Sequence, residues 1–206
     1  MGSWLRRVKK PESVLRKLDF HMPNNLTTDD FRRLLTLFGG YWQRLNHPRA
    51  PYARLASGNV SDGYVNWWTL LRYPLLAQLA ALHLIEKIKK YEKENPERLL
   101  WIWYSPTKLQ REELKQRARV YKESKFNGWV LGVPDGMTQF AAMMARELGS
   151  HCHSSPITKL PDKSMKWERD TVGENERVLV VEDVITTRGS IERAIEAVRA
   201  GNRERA

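Results

Sequence analysis

The chain has 206 residues, and 35 Lys+Arg against 24 Asp+Glu give it a formal net charge of +11. That length suits one domain or one domain with a small appendage, and 41% hydrophobic with 29% charged residues excludes a disordered chain. A single cysteine, Cys152, excludes a disulfide framework and a multi-cysteine zinc site. The longest strongly apolar stretch, residues 75–85, is broken by Gln78 and His83, too short for a bilayer, and the basic N-terminus lacks the apolar core of a signal peptide. A cytoplasmic location with no membrane partner is the expectation. The excess charge sits unevenly: residues 1–50 carry a net +6, 51–100 carry +2, 101–150 carry +3 and 151–206 carry none. Arg6, Arg7, Lys9, Lys10, Arg16, Lys17, Arg32 and Arg33 therefore form either a solvated basic face or a surface for nucleic acid or an acidic partner.

In chain order, Thr28-Asp29-Asp30 reads as a capped helix start, with Phe31, Leu34, Leu35 and Phe38 recurring at helical spacing. Gly39-Gly40 interrupts, with Tyr41, Trp42 and Leu45 able to continue the apolar face. Pro74 fits the first turn of a long helix reaching about Glu94, with Leu75, Leu76, Leu79, Leu82 and Ile85 inward. Residues 99–104 read as a strand and 108–125 as a polar helix. Residues 128–133 form a strand, 134–136 a loop, and 137–148 a helix capped by Gly149. The polar, proline-punctuated stretch 150–173 reads as a mobile loop in which Trp167 is an exposed aromatic. Residues 177–181 make a continuous apolar strand, followed by a turn and a helix through about Arg199.

Strand, turn and helix thus recur at 129–148 and 178–199, which predicts an α/β fold with a mainly parallel sheet flanked by helices. Ligands bind such sheets at the carboxyl ends of the strands, so the loops at 133–136 and 182–190 should share one edge. The second loop carries the most informative pattern. Glu182 and Asp183 end a buried strand, where two acids are costly without partners, and the hydroxyls of a sugar diol suit them. Thr186, Thr187, Arg188, Gly189 and Ser190 then open a helix whose N-terminus favours a phosphate.

This segment, Val-Glu182-Asp183-Val-Ile-Thr186-Thr187-Arg188-Gly189-Ser190, resembles the signature of the type I phosphoribosyltransferases, most of all the orotate branch. Two further stretches are similar to that branch: Ser57-Gly58 through Ser61 to Tyr64, and Gly132-Val133-Pro134-Asp135-Gly136. The resemblance covers most of residues 55–98 and 128–199. It implies that Glu182 and Asp183 hold the ribose hydroxyls of phosphoribosyl pyrophosphate (PRPP) and that Thr186 to Ser190 hold its 5-phosphate. It implies that Val133, Pro134, Asp135 and Gly136 face the pyrophosphate, bound with Mg²⁺ that has no assigned protein ligand. Ser57, Gly58 and Tyr64 would border the nucleobase, and Lys163, Lys166 and Asp183 would be catalytic. A homodimer is implied as well, because in this family a basic loop closes onto a neighbouring subunit.

Four features depart from that pattern. Arg188 stands where the family usually has glycine, so the backbone either tolerates it, freeing its guanidinium for the phosphate, or is distorted. The loop holding Lys159, Lys163, Lys166 and Arg169 lacks a histidine. Asn66-Trp67-Trp68 replaces acidic and basic residues, and the tryptophans either stack on a base or pack in the core. The chain ends one helix after the turn, a shortened C-terminus, while 99–126 reads as a basic insert of net +4 and a further partner surface. The domain expectation is a basic helical segment over 1–54 and a transferase-like domain over 55–206. His151-Cys152-His153 could offer two metal ligands, without a distant pair. The alternative function is a PRPP- or nucleotide-binding regulator or accessory subunit with weak or no catalysis, in possible contact with nucleic acid; another base is a third reading.

Overall fold

The computed structural model describes residues 26–44, 52–54, 58–95, 126–134, 136–173, 176–185 and 188–205. The expected strand at 99–104, the helix at 108–125 and the basic segment before residue 26 lie outside them. By internal contacts the chain divides into two compact units, residues 1–80 with 183–186, and residues 81–182 with 187–206.

The first unit opens with α1, Thr28–Leu37. Its cap is Thr27, one residue earlier than the sequence suggests. The Asp30 amide donates to Thr27 Oγ1 at 3.2 Å and the Thr27 amide donates to Asp30 Oδ2 at 2.9 Å, a reciprocal box that satisfies two helix-end donors. The Thr27 hydroxyl, donating to Asp30 Oδ2 at 2.6 Å, and then the Thr27 amide hold the Asp30 carboxyl below its usual range. Phe31, Leu34 and Leu35 form the buried stripe. Tyr41 and Trp42 do not continue that face. Gly39 takes φ +71, the left-handed value that commonly ends helices, and the aromatic run after it becomes β1, Tyr41–Gln43. β1 pairs antiparallel with β4, Gly63–Val65, and β2, Ala53–Arg54, pairs with β3, Val60–Ser61. The short helix α2, Trp68–Leu71, buries Leu70, and Trp67 packs 6.1 Å from the Phe31 ring.

The long helix α3 runs Pro74–Glu94, as expected. Its buried residues are Leu76, Ala77, Ala80, Ala81 and Ile85, whereas Leu75 and Leu79 are half-buried and Leu82 is exposed. The inward stripe therefore runs through the alanines.

The second unit holds a three-stranded parallel sheet, ordered β6-β5-β9, with β5 Gly128–Gly132, β6 Cys152–His153 and β9 Arg177–Val181. Helix α4, Thr138–Leu148, follows β5, and α5, Gly189–Arg205, follows β9, extending six residues beyond Arg199. The α/β class with a parallel sheet flanked by helices is thus present among the described residues. β5 is central and wholly buried. Trp129, Leu131 and Val133 join Ala194, Ala197 and Val198 of α5 in one core cluster.

The stretch 150–173 is a structured region rather than a bare loop. It contributes β6 and then a hairpin of β7, Thr158–Lys159, and β8, Met165–Lys166. The hairpin turn is held by the Leu160 amide donating to Ser164 O and by Asp162 Oδ1, which accepts from the Ser164 amide and hydroxyl at 2.9 and 2.6 Å. Trp167, expected to be exposed, is 1% exposed and sits in the α5 core cluster. The alternation around it accounts for this: Lys166 and Glu168 point to solvent, so Trp167 points inward.

Candidate functional site

The register of β5 with β9 matches Gly132 to Val181, and the Val133 amide donates to Val181 O at 2.9 Å. The two strands end level, so residues 133 and 182 leave the same end of the sheet, where ligands of parallel sheets gather.

The segment after β5 is tight. Val133 and Met137 are buried, and the Met137 amide donates to Val133 O at 3.2 Å. Gly132 permits this turn: a Cβ there would lie 2.1 Å from Met137 O and 2.6 Å from the Thr138 amide nitrogen. Pro134 is half-buried and Gly136 exposed, with nothing within 4 Å of the place its Cβ would take. Asp135 lies outside the described residues.

The segment after β9 is open. Glu182 is half-buried, and Asp183 is exposed with Oδ1 accepting from the Val184 amide at 2.9 Å. Val184 and Ile185 are exposed, Ile185 by 59%. Thr186 and Thr187 lie outside the described residues. Arg188 is exposed and adopts φ +64, the left-handed region that disfavours any side chain by about 1 kcal/mol. The backbone does accept Arg at the place of glycine, with a strained residue as the outcome. Its carbonyl accepts from the Glu192 amide at 3.0 Å, the first bond of α5, and Gly189 and Ser190 form the half-buried opening of that helix. Free N–H groups of a helix's first turn, together with the positive end of its dipole, suit an anion.

The other predicted residues are carried by other elements. Lys163 lies at the tip of the β7–β8 hairpin with φ +68, and its amide donates to Leu160 O. Lys166 pairs with Glu168, a partner the sequence reading did not assign; the hydrogen bond raises the Lys166 ammonium and lowers the Glu168 carboxyl from their usual ranges. In the first unit, Tyr64 is 46% exposed on β4 opposite Trp42, and Gly58 takes φ +86. Ser57 lies outside the described residues. Of the two tryptophans, Trp67 packs on Phe31, and Trp68 is 47% exposed.

Cys152 is half-buried and its thiol donates to Phe126 O at 3.2 Å; burial pushes the thiol's pKa up, against a nucleophilic role. Glu176, at the opposite end of β9, accepts from the Gly173 amide at 2.8 Å and from Trp129 Nε1 at 2.7 Å. The Gly173 bond chiefly lowers its carboxyl below the usual range. Among the described residues no three His, Cys, Asp or Glu side chains cluster as a metal site, and no helix is long and apolar enough to cross a membrane.

No family model matches the chain. Over 147 residues it is 28% identical to the orotate phosphoribosyltransferase of Caldanaerobacter subterraneus subsp. tengcongensis, a match covering 71% of this chain and 58% of that relative's length. The crystal structure of orotate phosphoribosyltransferase from Aeropyrum pernix aligns over 82% of this chain and 73% of its own, with 19% identity and a TM-score of 0.44. The chain therefore resembles the type I phosphoribosyltransferases, and within them orotate phosphoribosyltransferase.

Proposed function

We propose that this chain transfers the 5-phosphoribosyl group of PRPP to a pyrimidine base similar to orotate and releases pyrophosphate. The observation that carries the reading is the β9 end: two acids at the close of a strand that ends level with β5, in the segment that leads into the N-terminus of α5. Glu182 and Asp183 would accept hydrogen bonds from the ribose hydroxyls. Thr186 to Ser190 would supply amides and hydroxyls to the 5-phosphate, with Arg188 adding a guanidinium. Val133 to Gly136 would line the pyrophosphate side, Lys163 and Lys166 would approach the leaving group, and Ser57, Gly58 and Tyr64 would border the base.

The chemistry is displacement at the ribose anomeric carbon. Positive charge develops on the ribosyl ring and negative charge on the departing pyrophosphate, so catalysis is chiefly electrostatic. In this reading the Glu182 and Asp183 carboxylates would face the ribosyl ring where positive charge grows, and the lysines would face the pyrophosphate where negative charge grows. Mg²⁺ bound to PRPP would neutralise phosphate charge. This ion usually keeps several waters and takes one or two carboxylates plus substrate phosphates, a demand that Glu182 and Asp183 can meet. A homodimer in the cytoplasm completes the proposal.

The test is Mg²⁺-dependent release of pyrophosphate from PRPP, measured with orotate and a panel of other bases. Turnover with orotate, abolished in Asp183→Asn, is the expected result. PRPP binding without turnover on any base would leave the second reading, a PRPP-binding regulator or accessory subunit. The Lys166–Glu168 ion pair favours that alternative, since it occupies a lysine that a transferase would direct at pyrophosphate. Nucleic-acid contact through the basic N-terminal segment or the 99–126 insert belongs to the same reading and predicts salt-sensitive binding.

A further inference from the structure

The lysine hairpin is rooted at a specific place. Its last strand residue, Lys166, is followed at once by Trp167, which is 1% exposed and meets the Trp129 ring edge-on at 5.6 Å. The far end of α5 closes over this root. The Arg205 guanidinium lies 5.3 Å from the Trp167 ring centroid, within the range of cation–π attraction, and Arg205 Nε donates to Asp170 O at 2.8 Å. Asn202 adds a bond, its Oδ1 accepting from the Val172 amide at 2.6 Å. Gly201 allows the approach, because a Cβ there would lie 2.1 Å from Trp167 O.

This root is more than packed hydrocarbon. Trp167 Nε1 and one terminal nitrogen of Arg205 are buried without hydrogen-bond partners, a cost a simpler apolar side chain would avoid. Beyond the root, the hairpin is exposed: Lys159, Leu160, Asp162, Lys163 and Lys166 all face solvent. The helix that clamps the root is the one whose first turn carries Gly189 and Ser190. At 17 residues it spans about 25 Å.

We propose that Trp167, clamped between Trp129 and the Gly201–Arg205 end of α5, is the positioning residue of the Lys163–Lys166 hairpin and sets where those lysines can reach. This deepens the phosphoribosyl-transfer reading and rests on it. The hairpin pivots at Lys166, not further along, because Trp167, Asp170 and Val172 are all tied to α5. Loosening the clamp frees the lysines from a defined approach while leaving the first turn of α5 in place, so it slows the chemical step more than it weakens PRPP binding.

The test compares wild type with Trp167→Phe, Trp167→Ala and Arg205→Ala by hydrogen exchange over residues 158–166, calorimetric PRPP affinity with Mg²⁺, and kcat and KM for pyrophosphate release. Arg205→Ala serves as the second variant should the cavity left by Trp167→Ala prevent folding. In Arg205→Ala, and in Trp167→Ala if folded, exchange in the hairpin should rise at least tenfold while β5 and β9 stay protected. Their kcat should fall at least tenfold with PRPP affinity within threefold of wild type, and Trp167→Phe should restore all three. Unchanged hairpin exchange in Arg205→Ala would overturn the clamp. Equal losses of kcat and affinity would overturn the positioning role in favour of a purely structural one. A wild-type protein that does not bind PRPP would overturn the transferase reading, and the positioning role with it, whatever the exchange shows.

Discussion

Two segments leave the same end of the parallel sheet, and they are built on opposite principles. The one after β5 is closed by packing: Val133 and Met137 are buried, and Gly132 leaves no room for a side chain against the start of α4. The one after β9 is open: Asp183, Val184, Ile185 and Arg188 are exposed, and Arg188 holds a backbone angle that costs about 1 kcal/mol. The first segment is what a fold needs to bring a strand into a helix. The second spends stability on presenting an acid, apolar side chains and a guanidinium to solvent, and local strain of that kind gathers at functional sites. The contrast separates scaffold from candidate site more clearly than charge does, since residues 151–206 carry no net charge.

The contrast can be broken in order of size. Gly132→Ala forces a Cβ to within 2.1 Å of Met137 O, so it should cost about 3 kcal/mol in denaturant unfolding or prevent folding. A cost under about 1 kcal/mol would mean that the segment after β5 is not closed by packing. Arg188→Gly should act in the reverse direction on the other segment. It relieves the positive φ and stabilises the fold by about 1 kcal/mol, while PRPP affinity falls roughly fivefold, a loss of about 1 kcal/mol. Equal affinity in Arg188→Gly would leave the strain without a functional counterpart. The smallest effect belongs to Glu176, a control at the opposite end of β9. Its carboxyl is lowered in the folded state, so its contribution to stability is present above the unfolded glutamate value and is lost as pH falls through the folded one. Thermal melts of wild type and Glu176→Gln should differ slightly at pH 7 and converge as the pH falls through the lowered Glu176 value. PRPP affinity should be the same in both.

Much of the second unit was legible because its signals are local. A continuous apolar run made β9, an apolar run bounded by glycines made β5, and Gly149 at φ +116 ended α4 as expected. The acids and helix opening after β9 were legible for the same reason, since the pattern lies within nine consecutive residues. What failed depended on tertiary partners. Tyr41–Gln43 left the helical face because a distant segment, Gly63–Val65, offered a ladder. Trp167 looked like a loop aromatic because proline and polar residues surround it, yet the alternation from Met165 to Glu168 already pointed it inward. The Lys166–Glu168 pair was within reach of the sequence as well, as two opposite charges flanking an inward residue on one side of a strand. The strain at Arg188 was framed as a question of backbone tolerance, and only the φ value answers it.

The central claim is that the exposed turn after β9 binds the phosphoribosyl group. Its most direct test is a calorimetric titration of wild type and Asp183→Asn with PRPP and Mg²⁺, both proteins first checked for equal thermal stability. The account predicts saturable one-site binding by wild type and at least a tenfold weaker affinity in the variant, about 1.4 kcal/mol. No binding by wild type, or equal binding by the two proteins, would contradict it.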